Sequence, residues 1–204
     1  MARNVFISFR FSDGEKYKDK LCTLFDQSDD VIDCSEDEDR TEMTEDTIKE
    51  YLYAKLKQTS VTIVLLTPYA VSYNKNSGTG KYDDWLYDEL RYSLEDREGN
   101  RANGAVAVYA KDMLIEMSTH QCETCGEESK VSIIKYFDNL VKRNMMNVKP
   151  RYKKNQCNGI YDSLDDSFIS LVSFEDFSEN IDRYIENASL KRDRKSEFEI
   201  VKRL

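Results

Sequence analysis

A doubly wound α/β fold, with a parallel sheet of about five strands and helices on both faces, is predicted by three observations. Short apolar runs of strand length alternate along the chain with segments of helical period. One of these runs, Val61–Leu66, is apolar except for Thr62, as expected of a strand covered on both sides. Seven Gly and two Pro in 204 residues leave little room for long linkers between separate units.

The elements follow in order. Val5–Phe9 reads as a buried strand. Glu15–Phe25 follows as an amphipathic helix, with Tyr17, Leu21, Leu24 and Phe25 at helical spacing. Val31–Cys34 is a short strand, and Thr44–Gln58 a helix with Ile48, Tyr51, Leu52 and Leu56 on one face. After the strand at 61–66, Tyr69–Lys81 is a polar loop containing Gly78 and Gly80, and Asp84–Glu95 a helix. Ala105–Tyr109 and Phe168–Val172 are strands, and Glu179–Ala188 is the last helix.

This is the flavodoxin-like arrangement. Its ligand crevice lies beyond the C-terminal ends of the strands, where strand order reverses. For the order 2-1-3-4-5, the crevice is lined by Phe9, Arg10, Phe11, Ser12 and Asp13 together with Thr67, Pro68 and Tyr69. Residues 112–165 break the alternation and read as an insertion before the last strand, with a helix-like run at Ile133, Ile134, Phe137, Leu140 and Val141. Charge changes there too. Lys130–Lys154 holds eight basic residues and one acid, whereas Asp26–Asp46 holds eleven acids and one Arg. The chain is thus expected to be one unit over 1–190 with that insertion, followed by a charged tail at 191–204.

Composition narrows the function. A net charge of −9 argues against nucleic acid as the main partner, because a phosphate backbone calls for a basic surface. No run approaches the ~20 apolar residues needed to span a bilayer, and Met1–Asn4 leads into a strand with no signal-like apolar segment. Five Cys, an odd and sparse number, fit reduced thiols and a cytoplasmic protein.

Several chemistries are excluded by motif. No Gly-x-Gly-x-x-Gly or Gly-x-Ser-x-Gly occurs. Ser77–Tyr82 imitates a phosphate loop but lacks its first Gly, and Tyr82 stands where the magnesium-binding hydroxyl belongs. The acidic run at 36–46 lacks the Gly of a calcium loop and reads as a solvated surface. His120 is the single His. His120-x-Cys122-x-x-Cys125 has the spacing of half a zinc site, with Cys157 as the natural further donor. Half a site favours free thiols that pack the insertion, so no metal is expected.

The helix at 84–95 carries the most information. At about 100° per residue from Trp85, Asp88, Arg91 and Glu95 fall at about 300°, 240° and 280°, the solvated face. Glu89 falls at about 40°, between Trp85 and the Leu86/Ser93 side. A carboxylate on a protected face needs a partner. Two roles remain open: a Glu bonded to the backbone or to Arg10, or a Glu that serves a ligand.

Here the sequence resembles the TIR (Toll/interleukin-1 receptor) domains, and is most similar to the bacterial TIR-like proteins of Thoeris-type anti-phage systems. Val5–Arg10 with Asp13 resembles the family's first strand and following loop, and Ser60–Pro68 its third strand. Trp85-x-x-x-Glu89 resembles the tryptophan–glutamate motif of the NAD-cleaving members, and Asp166–Phe174 the late strand. The acidic, Pro- and Gly-free stretch at 35–46 and Asp83 in place of a Ser depart from the receptor-type pattern.

The resemblance implies an NAD nucleosidase of ADP-ribosyl cyclase type that releases nicotinamide. Its product would be a cyclic or otherwise modified ADP-ribose that signals to an effector. Glu89 would be catalytic, with Phe9, Arg10, Asp13 and Trp85 binding substrate; NAD would be substrate and no cofactor is needed. TIR self-association and a phage-derived trigger are implied as partners, with neither nucleic acid nor membrane. The alternative is a non-catalytic TIR interaction module; a nucleoside deoxyribosyltransferase shares the architecture and a catalytic carboxylate.

Overall fold

The computed structural model describes residues 3–27, 31–33, 45–82, 84–97, 99–113 and 115–204. The acidic residues 36–44 and Asp83 lie outside them. Five parallel strands form the sheet: β1 (Arg3–Ser8), β2 (Val31–Asp33), β3 (Val61–Leu66), β4 (Gly104–Tyr109) and, after a long excursion, β7 (Ile169–Ser173). Their order is β2-β1-β3-β4-β7, the doubly wound pattern that the alternation predicts. Val5 pairs with Val61 and Val61 with Gly104, so β3 and β4 start level and β1 begins two residues before them.

Helices cover both faces because β3 is apolar on both. Val61, Ile63 and Leu65 face a core built with Tyr17, Leu21 and Phe25 of α1 (Phe11–Phe25) and with Ile185 of α6 (Ile181–Asp193). Val64 and Leu66 face the other way, onto Leu86, Leu90 and Leu94 of α3 (Trp85–Leu94). Beside α3, Phe6 and Tyr92 pack with Leu52 and Leu56 of α2 (Glu45–Lys57). Each such side chain contributes about 1.5–3 kcal/mol through burial. Thr62, the polar exception in β3, is fully buried and bonded to Ser93 and Asn103.

Three expectations are corrected. First, α1 begins at Phe11, four residues before Glu15, so Phe11, Ser12 and Asp13 form its first turn and only Phe9 and Arg10 connect strand to helix. Second, the run through Ile133 and Ile134 is a strand. β5 (Ile115–Gln121) and β6 (Glu128–Ile134) form an antiparallel hairpin, and helix returns only as α4 (Leu140–Arg143). The β-branched Val131, Ile133 and Ile134 favour the pleated backbone over the helical period.

Third, the charged tail at 191–204 continues the last helix to Asp193 and then packs back on the domain. After α5 (Phe174–Glu179) and α6, the chain turns back and bridges Val148 through Phe198, which is 4% exposed, with Ile200 and Val201 on the α3-side core. Apolar residues at 198, 200 and 201 outweigh the charges between them. Among the described residues, no helix is long and apolar enough to cross a membrane.

Candidate functional site

The first strand ends in Ser8, a fully buried hydroxyl after three apolar residues. Its Oγ donates to Glu89 Oε2 at 2.7 Å. Glu89 lies on the middle turn of α3 and is partly exposed, with its carboxylate held by Ser8. The backbone of this turn is held from below. Thr62 Oγ1 donates to Ser93 Oγ (2.8 Å), and Ser93 Oγ donates to the Glu89 carbonyl (2.8 Å). Asn103 Nδ2 donates to Thr62 Oγ1 (3.1 Å) and Thr59 Oγ1 (2.9 Å). Such a buried network fixes its members more firmly than packing alone, although the Asn103 Oδ1 is buried without a partner among the described residues.

The start of α3 is fixed by Asp84. Its Oδ1 accepts from the Leu86 N–H at 3.1 Å, an N-cap bond. Its Oδ2 accepts from Arg10 Nη2 and from the Asn74 N–H, each at 2.7 Å. The Asp84 side chain is 1% exposed and that of Arg10 21%. A carboxylate this buried persists because a guanidinium and two N–H groups compensate its lost hydration. Arg10 is therefore engaged at the N-terminus of α3, joining the β1–α1 connection to the helix that carries Glu89. Next to this cap, burial raises the Tyr73 hydroxyl far above the usual phenol range, and that hydroxyl accepts the Leu140 N–H.

Asp13 performs a similar task on the other side of the crevice. It accepts from Thr67 Oγ1 (2.7 Å) and the Tyr69 N–H (3.0 Å), lacing the first turn of α1 to the end of β3. Phe9 packs on the α1-side core and against Phe11, with ring centroids 4.7 Å apart. Phe11 and Tyr69 leave 44% and 68% of their surface open at this end of the sheet.

Of the residues that the sequence nominates, Glu89, Arg10 and Asp13 gather around the C-terminal ends of β1 and β3. Trp85 stands apart from Phe9: its ring packs with Tyr53 against Phe6, Leu52, Leu56 and Tyr92, on the α2 side. Sequence reasoning missed Ser8, Asp84, Thr62, Ser93 and Asn103. Two left a signal, a Ser closing an apolar strand and an Asp directly before a helical run. The chain matches a family model, the TIR-like domain of Thoeris protein ThsB, over residues 6–111. Those residues run from the middle of β1 to just past β4 and include Ser8, Arg10, Asp13, Asp84 and Glu89. The match covers more than half of the chain, which therefore belongs to the Thoeris ThsB family of TIR-like domains.

Proposed function

We propose that this Thoeris TIR-like protein cleaves the bond between nicotinamide and ribose in NAD, with Glu89 as the catalytic residue. The reading rests on one observation above the others: a partly exposed carboxylate held at 2.7 Å by Ser8, at the strand ends where a doubly wound sheet receives its ligands. Family membership marks the chain as an anti-phage defence protein.

The chemistry asks little beyond that carboxylate. Cleavage passes through an oxocarbenium-like state on the ribose, and a fixed negative charge beside it lowers the barrier. Nicotinamide departs as a neutral molecule, so no general acid is needed, which suits a chain with one His. Glu89 also accepts hydrogen bonds from the ribose hydroxyls. The N-terminus of α1 directs its dipole toward the diphosphate, and the exposed Phe11 and Tyr69 offer rings to the bases. Exclusion of water would let a hydroxyl of the same molecule capture the ribose, giving a cyclic ADP-ribose signal for an effector. Self-association and a phage-derived trigger complete the reading.

Product analysis of purified protein with NAD, with and without a lysate of infected cells, tests the proposal. Nicotinamide and an ADP-ribose product are expected. Glu89→Gln should lower their formation by ~10²–10³ while leaving the melting temperature unchanged. A folded Gln variant with full turnover would remove Glu89 from the mechanism. A wild-type protein inert in both arms would favour the interaction-module reading.

A further inference from the structure

The three thiols of the segment between β4 and β7 converge. The Sγ atoms of Cys122, Cys125 and Cys157 all lie within 4.8 Å of one another, and those of Cys122 and Cys157 are 3.3 Å apart. Cys157 is 32 residues beyond Cys125 in sequence, so local chain geometry does not bring it there. His120, exposed on β5, is not part of the cluster.

We propose that Cys122, Cys125 and Cys157 bind a zinc ion, which fastens the β5–β6 hairpin to the 157–160 turn. Three features of the backbone are built for it. Thr124 and Cys125 turn their N–H groups toward the Cys122 sulfur, and Glu127 its N–H toward Cys125, so backbone donors face two of the three sulfurs. Gly126 takes φ +75°, closing the Cys-x-x-Cys-Gly turn, with its N–H on the Cys122 carbonyl at 2.8 Å. Gly159 lies so close that a Cβ there would meet the Cys122 sulfur at 2.5 Å, so a side chain at 159 would displace the cluster.

The dimensions fit as well. Zinc–sulfur bonds of about 2.3 Å in a tetrahedron place sulfurs about 3.8 Å apart, within the range from the closest pair to the limit of the cluster. On binding, each thiol gives its proton to solvent, and three thiolates with Zn²⁺ carry one net negative charge. Buried Lys153, bonded to the Cys157 carbonyl, sets a cation beside that charge. Cys125 is exposed, so solvent completes the fourth corner on its side. The site is remote in sequence from Glu89 and independent of the proposed catalysis.

Elemental analysis of the full-length protein, purified without chelator and gel-filtered, tests this directly. About one equivalent of zinc per chain is expected, falling to less than about a tenth in Cys125→Ser and Cys157→Ser and unchanged in Cys22→Ser. Because the Ser variants risk misfolding, wild-type protein stripped by chelator and titrated with Co²⁺ provides a second measurement. A thiolate-to-cobalt charge-transfer band saturating at about one equivalent supports the site. Zinc-free wild-type protein without that band, or a Cys122–Cys157 disulfide in protein prepared under reductant, overturns it.

Discussion

Residues 3–111 and the segment between β4 and β7 are held together in different ways. The sheet frame relies on apolar burial: all six residues of β3 are buried, and nearly every residue of β4. Polar bonds beneath and beside Glu89 supplement that burial. The segment between β4 and β7 differs. Its hairpin is largely exposed on both strands, and although Phe137, Leu140, Val141 and Phe168 join the α3-side core, polar side chains clamp it to its surroundings. Asn139 donates to the Val71 carbonyl, Asn147 to that of Glu199, and Asn144 exchanges bonds with Val201. A core stabilises in proportion to area and tolerates local change, whereas a polar clamp stands or falls with single atoms. The two regions should therefore fail differently: mutations at polar positions of the frame cost activity, and those at the clamps cost stability.

The largest stability effect is expected where the regions meet. Lys191 of α6 is fully buried, and its Nζ donates to the carbonyls of Leu164 (3.1 Å) and Ser167 (2.7 Å) and to Ser170 Oγ (2.5 Å). Lys191→Met removes all three bonds and leaves the Ser167 carbonyl without this donor, while the Leu164 carbonyl keeps the Ser170 hydroxyl, and should cost about 3 kcal/mol in urea denaturation. Burial also lowers the Lys191 amine to about 7 from 10.5, which gives the loss a pH dependence. Between these values the unfolded chain holds a proton that the folded chain has released. Stability from this group is full above pH 10.5 and is lost as pH falls through about 7. The gap between wild type and Lys191→Met should thus widen from pH 7 toward 10. A constant gap would show that Lys191 stays charged in the fold.

Asn144→Ala probes the clamp alone. Its Nδ2 donates to the Leu140 and Val201 carbonyls, each at 2.8 Å, and its Oδ1 accepts the Val201 N–H at 2.9 Å. The variant should lose about 2–3 kcal/mol, because partly buried backbone groups at 201 are left unpaired. NAD turnover per folded molecule should be unchanged. Lost turnover in the folded fraction would break the comparison and make the segment part of the active unit.

The same contrast explains how much of the molecule was legible in its sequence. The strands and the faces of α1 and α3 were readable because burial imposes periods of 2 and 3.6 on residue type. Glu89 was readable because a charge at 40° on that wheel violates the period. The segment after 111 departs from its pattern because Ile133, Ile134, Phe137, Leu140 and Val141 satisfy a helical template while the backbone is strand through Ile134 and helix only from Leu140. Pairing with β5 decides that outcome, and it is a long-range fact. The end of the chain was misread for a related reason: Phe198 and Val201 are apolar islands among charges, and only the groove beside Val148 and Asn144 gives them a place. Ser8, Thr62, Ser93 and Asn103 are ordinary polar residues until the fold lines them up beneath one carboxylate.

Ser8→Ala carries the smallest expected effect and separates the two regions most cleanly. Ser8 is buried, and its hydroxyl donates to Glu89 Oε2 at 2.7 Å across the gap between β1 and α3. Ala fills nearly the same volume and keeps the strand, so no cavity of consequence forms. One charge-assisted hydrogen bond is lost, and Glu89 gains rotamer freedom. A loss of about 1–1.5 kcal/mol in transition-state stabilisation corresponds to a roughly tenfold fall in nicotinamide release. The fall should appear in kcat rather than KM, since Ser8 reaches the substrate only through Glu89. Ser8→Thr, which retains the hydroxyl, should recover part of the rate. Stability is expected to move little, because the bond spans a partly exposed site. If Ser8→Ala instead destabilised the fold by several kcal/mol at unchanged kcat, the Ser8–Glu89 pair would be a clamp like those of the later segment, and the division of labour between the regions would fail at its centre.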